Sequence, residues 1–157
     1  MCSSDLKHGT ITMNPDGTYT YKPDPNFNGT DSVHYQVCDL GLPIYCATAT
    51  IIITVTNVND APIATNVTPS VNEDGTLTGS VVSATSDVDN NINPNGYSTT
   101  DLPKHGTIAM NPNGTFTYTP DPNFNGTDSV HYQVCDLGLP IYCSTATIII
   151  TDRRAHV

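Results

Sequence analysis

The residues with the most evident chemistry are four cysteines, which occur as two pairs at one spacing. Cys38 and Cys46 enclose the seven residues DLGLPIY, and Cys135 and Cys143 enclose the same seven. Strand-like segments flank each loop, so the two thiols are expected at the base of a hairpin, within disulfide reach. Zinc is the alternative, but zinc sites usually space cysteines two to four residues apart and need two further ligands. We therefore expect two disulfides and an oxidising compartment, with Cys2 left over.

Acidic and amide side chains offer a second chemistry, which is calcium binding. Ca²⁺ takes six to eight oxygen ligands, and carboxylates at alternate residues of a loop can turn toward one ion. The segments NVNDAP, NEDG and SDVDNN carry such groups, and the candidate ligands are Asn59, Asp60, Glu73, Asp87 and Asp89. Asp and Asn are also ordinary turn residues, and SDVDNN lacks the glycine and distal glutamate of an EF-hand. Structural turns are therefore the alternative to a calcium site.

The seven residues between the paired cysteines form a third candidate site, because a loop tip rich in apolar side chains could bind a partner. The side chains concerned are Leu40, Leu42, Ile44 and Tyr45 in the first copy and Leu137, Leu139, Ile141 and Tyr142 in the second. Alternatively, they fold back over the end of the domain as a lid on its core. We expect the lid arrangement.

Charge and motif content argue against several functions. The chain carries 15 acidic against 5 basic residues, a formal net charge of −10, which disfavours nucleic acid and anionic membrane surfaces as partners. It contains no apolar run long enough to span a bilayer and no signal-peptide pattern at its N-terminus. Phosphate-binding and hydrolase motifs are missing. Asp31 in the first copy corresponds to Asp128 in the second, as expected for residues that brace a turn. We therefore expect no enzyme.

A long internal repeat organises the chain. Residues 7–54 match residues 104–151 at 43 of 48 positions, without a gap and at an offset of 97. Apolar and polar residues alternate in DSVHYQV and ATIIITVT, which is typical of half-buried strands, and no segment has a helical period. NPDG between two short strands predicts a hairpin. Seven candidate strands within residues 61–151 predict an all-β, immunoglobulin-like Greek-key sandwich.

The first copy lacks counterparts of residues 61 to about 101, so it keeps the last four strands and not the first three. We expect a truncated repeat at 1–60, a complete repeat at 61–152 and a non-repeat tail at 153–157. Four strands with one apolar face cannot close a sandwich alone. The half unit is then marginal, completed by a neighbour, or the result of where the chain was cut from a longer secreted protein, which we favour.

The segments NPNGTFTYTPDPNFNGTDSVHYQVCD, ATIIITVTNVNDAP and VNEDGTLTGSV resemble the bacterial Ig-like, cadherin-like tandem repeats of large surface proteins. The resemblance covers residues 7–151. It implies an extracellular adhesin-type repeat that contacts neighbouring repeats. NVNDAP also resembles the calcium-binding linker of cadherins, and Asp87 and Asp89 resemble their Asp-x-Asp ligand pair. The truncated first unit, the unmatched end and the cysteine pairs depart from this pattern.

Two functional hypotheses follow. The first is a structural spacer or stalk of a cell-surface protein, with calcium setting the stiffness of the linker. The second is a binding module, in which the DLGLPIY loop recognises a glycan or a protein. Removal of the loop side chains would change only local stability under the first hypothesis and would abolish partner binding under the second.

Overall fold

A computed structural model describes residues 6–72 and 75–153. Cys2, Glu73 and the last four residues of the predicted tail lie outside these ranges. Among the described residues, regular structure is all strand apart from one 3₁₀ turn at Val82–Ala84, and no helix is long and apolar enough to cross a membrane. Contacts divide the chain into two compact units, unit 1 at Met1–Val58 and unit 2 at Asn59–Val157. The all-β prediction is confirmed.

Unit 1 contains two separate antiparallel strand pairs. The strands are β1 (Gly9–Met13), β2 (Tyr19–Pro23), β3 (Gly29–Cys38) and β4 (Cys46–Val55). β1 pairs with β2, and β3 pairs with β4 over ten residues in continuous register. Each pair remains a two-stranded sheet within the described residues.

Unit 2 repeats these four strands and adds five more before them. The added strands are β5 (Ile63–Ala64), β6 (Ser70–Asn72), β7 (Leu77–Ser80), β8 (Thr85–Ser86) and β9 (Ile92–Thr99). The repeated strands are β10 (Gly106–Met110), β11 (Thr115–Pro120), β12 (Gly126–Asp136) and β13 (Cys143–Arg153). The sheet order is β10-β11-β7 in one sheet and β6-β13-β12-β9 in the other, with β5 and β8 paired separately.

The core of unit 2 lies between its two larger sheets. Alternate residues of β11, β12 and β13 face inward, so the period-two pattern seen in the sequence is confirmed there. The buried apolar residues are Val71, Val81, Tyr97, Phe116, Tyr118, Val130, Tyr132, Val134, Ala146, Ile148 and Ile150. Three of them precede the repeated strands: Val71 lies on β6, Val81 directly follows β7, and Tyr97 lies on β9, so the added segment contributes to the core.

The predicted hairpin between the first two strands of each repeat is confirmed. Gly17 and Gly114 have φ angles of 88° and 84°, a region that glycine enters without steric cost. In unit 2 the Asn113 side chain accepts hydrogen bonds from the backbone N–H and the hydroxyl of Thr115. Asp16, the corresponding residue of unit 1, accepts the same two bonds from Thr18, so the turn is specified by local residue chemistry in both units.

Corresponding strands differ in burial between the two units. Val134 is fully buried, whereas the corresponding Val37 is 61% exposed. Phe116 is 2% exposed, whereas Tyr19 at the same place in unit 1 is 47% exposed. The segment that precedes β10 accounts for the difference, because β6, β7 and β9 extend both sheets of unit 2 and the side chains of Val71, Val81 and Tyr97 join its core.

Candidate functional site

Both cysteine pairs form disulfides, as predicted from their spacing. Cys38 bonds to Cys46 and Cys135 bonds to Cys143. In each case the two residues are directly opposite one another in the register of the hairpin. Both thiols of each pair are therefore used in a covalent bond, and no thiolate of these pairs is left for zinc.

Asp136 organises the disulfide-closed loop of unit 2. One of its carboxylate oxygens accepts hydrogen bonds from the backbone N–H groups of Gly138, at 3.1 Å, and Tyr142, at 2.9 Å. The other oxygen accepts a hydrogen bond of 2.8 Å from the Asn59 side chain. The residue is only 1% exposed. Burial raises the pKa of this carboxyl, but the three hydrogen bonds stabilise its charged form more strongly, so its pKa lies below the usual value.

The corresponding loop of unit 1 has the same internal geometry without the contact to an asparagine. Asp39 accepts the backbone N–H groups of Gly41, at 3.1 Å, and Tyr45, at 2.9 Å. Asp39 is exposed, whereas its counterpart Asp136 is buried. The loop conformation therefore belongs to the repeated sequence, and the burial of its carboxylate in unit 2 depends on residues before the repeat.

The apolar loop tips are exposed, so the lid interpretation is wrong. Leu40 is fully exposed and Leu139 is 89% exposed, and the other predicted binding-loop residues are exposed as well. The reason is that the carboxylate of Asp136 or Asp39 lies beneath the loop and satisfies its backbone N–H groups. With a polar anchor in that place, the apolar side chains extend outward.

Asn59 and Asn91 connect two carboxylates at one end of unit 2. The Asn59 nitrogen donates to Asp136 and, at 2.9 Å, to the backbone carbonyl of Pro140, which fixes the orientation of its amide. Its carbonyl oxygen accepts a hydrogen bond of 2.7 Å from the Asn91 nitrogen. The carbonyl oxygen of Asn91 then lies 3.2 Å from both carboxylate oxygens of Asp87.

The row formed by Asp136, Asn59, Asn91 and Asp87 cannot make a donor-to-acceptor hydrogen bond at every contact. Reversing the Asn91 amide would let it donate to Asp87, but its oxygen would then face the oxygen of Asn59. Two amides in series between two carboxylates always leave one contact in which acceptor faces acceptor, because each amide offers one donor end and one acceptor end. A cation beside Asp87 and Asn91 would remove this conflict.

The other predicted ligands lie next to this row. The backbone N–H of Asp60 donates to Asp89, at 2.8 Å, and the backbone N–H of Asp89 donates to Asp87, at 2.7 Å. Four of the five predicted ligands, Asn59, Asp60, Asp87 and Asp89, are thus connected, and Glu73 lies outside the described residues. Across the ranges 6–72 and 75–153, no three acidic, histidine or cysteine side chains gather around one point.

Asn91 and Asp136 belong to this cluster, and the sequence did not point to either of them. Asn91 continues the alternation of Asp87 and Asp89, so D-x-D-x-N was the available signal for it. Asp136 and its counterpart Asp39 each follow a cysteine. Nothing in the local sequence shows that Asn59 contacts Asp136 and not Asp39.

Asp128 has a structural role in unit 2. Its carboxylate accepts the backbone N–H groups of Lys104, His105 and Ser129 at 2.9–3.0 Å and the Tyr118 hydroxyl at 3.0 Å. These bonds lower its pKa although burial opposes them, and burial together with the nearby carboxylate raises the pKa of Tyr118. Asp31 makes the same set of bonds in unit 1. The acids were predicted to brace the adjacent NFNG turn, but they hold the segment before the first repeated strand, 23 and 24 residues away.

Two family profiles match the chain, one on each unit. The profile described as bacterial Ig domain matches residues 59–151, which is more than half of the chain. The profile described as bacterial cadherin-like domain matches residues 3–57. No curated protein matches the sequence significantly.

Solved cadherin ectodomains share the fold. Similar structures include protocadherin gammaB7 domains EC3–6, solved as a cis-dimer (18% identity, 98% of this chain, 40% of that chain, TM-score 0.60). Protocadherin Gamma B2 extracellular cadherin domains 1–5 give 15% identity over 100% of this chain and 33% of that chain, with a TM-score of 0.61. Mouse clustered PcdhgC3 EC1-3 gives 19% identity over 98% of this chain and 55% of that chain, with a TM-score of 0.58. The chain thus spans about a third to a half of these structures, and at this identity the likeness shows the fold.

Proposed function

Since the chain belongs to the bacterial Ig domain family, we propose that it is a non-catalytic structural repeat of a bacterial cell-surface protein. It acts outside the cell as a spacer or stalk, and its partners are neighbouring repeats of the same protein. The two disulfides support an oxidising, extracellular setting. The acids with displaced pKa values described above brace turns and loops, which supports a structural role for them.

The anchoring of Asn59 carries this proposal. Asn59 is the first residue of unit 2, and its amide is held by a carboxylate, a backbone carbonyl and a second amide of that unit. Gly138 lies directly beneath it, so close that a Cβ at that position would overlap the Asn59 side chain. Such contacts fix the path by which the chain enters unit 2. A spacer needs this property, because a loosely attached linker would not hold its length.

Calcium is the second element of the proposal. The side chains of Asp87, Asp89 and Asn91 supply the hard oxygen donors that Ca²⁺ takes. In the orientation in which Asn91 donates to Asn59, the Asn91 carbonyl oxygen faces Asp87, and a bound cation would relieve this contact between acceptors. Asp87 and Asn91, with Asp60 or Asp89 beside them, would hold the ion. The ion would neutralise part of the local negative charge and stiffen the start of unit 2.

Thermal unfolding in Ca²⁺ and in excess chelator tests the calcium site. A ligand that binds the folded state alone stabilises it by about 2.7 kcal/mol at a hundred times its dissociation constant. We expect the wild type and an Asp121→Asn control to unfold at higher temperature with Ca²⁺, and Asp87→Asn to show little response. Asp121 is an exposed acid outside this cluster, so the pair separates a specific site from general charge neutralisation. An equal response in all three proteins would exclude the site.

A binding module is the second candidate function, and the exposure of the loop tips favours it. Leu42 is 97% exposed and Leu139 is 89% exposed, in loops whose backbone is fixed by a disulfide and a carboxylate. A rigid loop that presents apolar side chains loses little conformational entropy on binding a glycan or a protein. Either copy could bind the same partner, because the loop sequence is the same in each.

Adhesion of beads that carry the chain distinguishes the two functions. Replacing Leu42 and Leu139 by serine removes the exposed apolar side chains and leaves the anchoring aspartates in place. If the loops bind a partner, beads with the double variant detach from surfaces that retain the wild type. If the chain is a spacer, the double variant changes only local stability, and adhesion stays at the wild-type level.

A further inference from the structure

The disulfide-closed loop of unit 2, residues 136–142, is held by the same asparagines that lie next to Asp87. The backbone N–H of Leu137 donates to the backbone carbonyl of Asn91, at 2.9 Å. The side-chain nitrogen of Asn59 donates to the backbone carbonyl of Pro140, also at 2.9 Å. The exposed apolar loop and the proposed calcium site are therefore neighbours at one end of unit 2, connected through two amide side chains.

The side-chain amide of Asn91 has two orientations, and each leaves a different contact unsatisfied. In the first, its nitrogen donates to the Asn59 oxygen, at 2.7 Å, and its oxygen lies 3.2 Å from both carboxylate oxygens of Asp87. In the second, its nitrogen donates to Asp87, and its oxygen lies 2.7 Å from the Asn59 oxygen. The amide is therefore a two-state element, in which relief at one end creates a conflict at the other.

The second orientation acts against the anchoring of the loop. Two carbonyl oxygens at this distance repel each other, so Asn91 pushes on Asn59. Asn59 has little room in which to move, because it packs so closely on Gly138 that a Cβ there would overlap it. The repulsion therefore weakens the bonds from Asn59 to Asp136 and to the Pro140 carbonyl. The first orientation keeps these bonds.

From these contacts we infer that the Asn91 amide is a relay, through which a cation bound at Asp87 fixes the loop 136–142. The inference rests on the calcium site proposed above. A cation attracts the Asn91 oxygen and so selects the first orientation, in which Asn59 holds the loop. Asn59 is then a positioning residue and not a calcium ligand, because its nitrogen and its oxygen already have partners within unit 2.

The coupling between the ion site and the loop acts in both directions. Ca²⁺ slows the opening of the loop, and a fixed loop raises the affinity for Ca²⁺ by the same factor. The side chains that the loop presents include Leu139, which is 89% exposed, and Ile141, which is 61% exposed. A partner would meet them already ordered in the presence of Ca²⁺, so that less conformational entropy is lost on binding. Calcium thus regulates the candidate binding surface of unit 2.

Amide hydrogen exchange of Gly138 and Tyr142, resolved by NMR, tests the relay. Both backbone N–H groups donate to Asp136. We expect each to exchange about tenfold more slowly in Ca²⁺ than in excess chelator, which lies within the usual range of coupling between two sites. Gly41 and Tyr45 make the same bonds in the loop of unit 1 and are the internal reference, so their rates are expected to stay unchanged.

Two variants separate the relay from a general effect of calcium. Asp87→Asn offers a donor to the Asn91 oxygen and can still accept the backbone N–H of Asp89. Every contact of the row then pairs a donor with an acceptor, so we expect the loop amides to exchange about tenfold more slowly without Ca²⁺ and to show no further change with it. Asn59→Ala keeps the proposed ligands but interrupts their connection to the loop. Its unfolding temperature should still rise in Ca²⁺, whereas its loop amides should exchange at one rate with and without the ion.

These measurements distinguish failure of the inference from failure of the calcium site. The inference is overturned if the loop amides of Asp87→Asn exchange as fast as those of the wild type in chelator. It is also overturned if Ca²⁺ raises the unfolding temperature of the wild type without slowing its loop amides, or if it slows those of Asn59→Ala. An unfolding temperature of the wild type that does not respond to Ca²⁺ would remove the calcium site, while Asp87→Asn would still decide whether Asn91 couples position 87 to the loop.

Discussion

Replacement of Gly138 by alanine is expected to detach Asn59 from unit 2. The new Cβ would overlap the side-chain amide of Asn59, and the backbone around Gly138 is fixed by its hydrogen bond to Asp136. The asparagine must therefore move and give up its bonds. Gly41, the same residue in unit 1, provides a matched control. A Cβ there comes no closer than 3.4 Å to any neighbouring atom, the carboxylate oxygens of Asp39 among them.

The size of the effect follows from the bonds that are lost. Asn59 donates one hydrogen bond to a carboxylate, worth about 1.5–3 kcal/mol, and one to a carbonyl, worth about 1 kcal/mol. Alanine recovers up to about 1 kcal/mol by restricting the unfolded chain. Gly138→Ala should then destabilise unit 2 by about 2 kcal/mol, whereas Gly41→Ala should change stability by less than about 1 kcal/mol. For a unit of this size, the unfolding temperature falls by roughly 10 °C.

Scanning calorimetry of the two variants, together with Asn59→Ala and the double variant, measures this effect. If Gly138→Ala acts through Asn59, it should cost little in the Asn59→Ala background, because the bonds are already absent. The reasoning is refuted if Gly138→Ala and Gly41→Ala have equal effects, or if the loss at Gly138 persists when Asn59 is alanine.

Three further changes are expected to lower the free energy of unfolding: Tyr132→Phe, Asp128→Ala and reduction of the disulfides. Tyr132→Phe should cost about 1 kcal/mol by removing the bond to Thr65, whereas Tyr35→Phe should cost almost nothing, as denaturant unfolding would show. Asp128→Ala should cost about 3 kcal/mol because it leaves three backbone N–H groups and the Tyr118 hydroxyl without their acceptor. The pKa of Asp128 is lower in the folded state than in the unfolded state, where it is about 4. Its contribution to the free energy of unfolding is therefore complete above that pH and is lost as the pH falls further. Acid titration of the wild type and Asp128→Ala would reveal this loss. Reduction of the disulfides should cost about 2 kcal/mol for each loop, measured as a lower midpoint in denaturant.

The features predictable from sequence were those that depend on neighbouring residues. Strict alternation in DSVHYQV and ATIIITVT sets the strands, and NPDG sets a turn whose glycine needs a positive φ. The cysteines are opposite each other because the strands on either side pair in register. Each of these outcomes follows from an interaction within about ten residues, so the letters alone carry it.

The features that sequence reasoning missed depend on distant residues. Asn59 contacts Asp136, which is 77 positions away, and this contact rather than local sequence decides which of the two loop aspartates is buried. The lid interpretation of the leucines was wrong because that carboxylate, and not an apolar side chain, lies beneath the loop. Asp87 was predicted as a ligand, but its connection to Asp136 through Asn91 and Asn59 depends on residues that are distant in sequence.

Amide hydrogen exchange along β4 and β13 tests most directly the claim that residues 59–101 turn this repeated sequence into a closed sandwich. Both strands contain TATIIIT, and peptides that include Ala47 or Ser144 can be told apart by mass. In β13 the N–H groups of Ile149 and Thr151 donate to the carbonyls of Val67 and Pro69. We expect the amides of β13 to exchange orders of magnitude more slowly than those of β4, because exchange in β13 requires residues 59–101 to detach from it. Equal protection of the two strands would contradict the account.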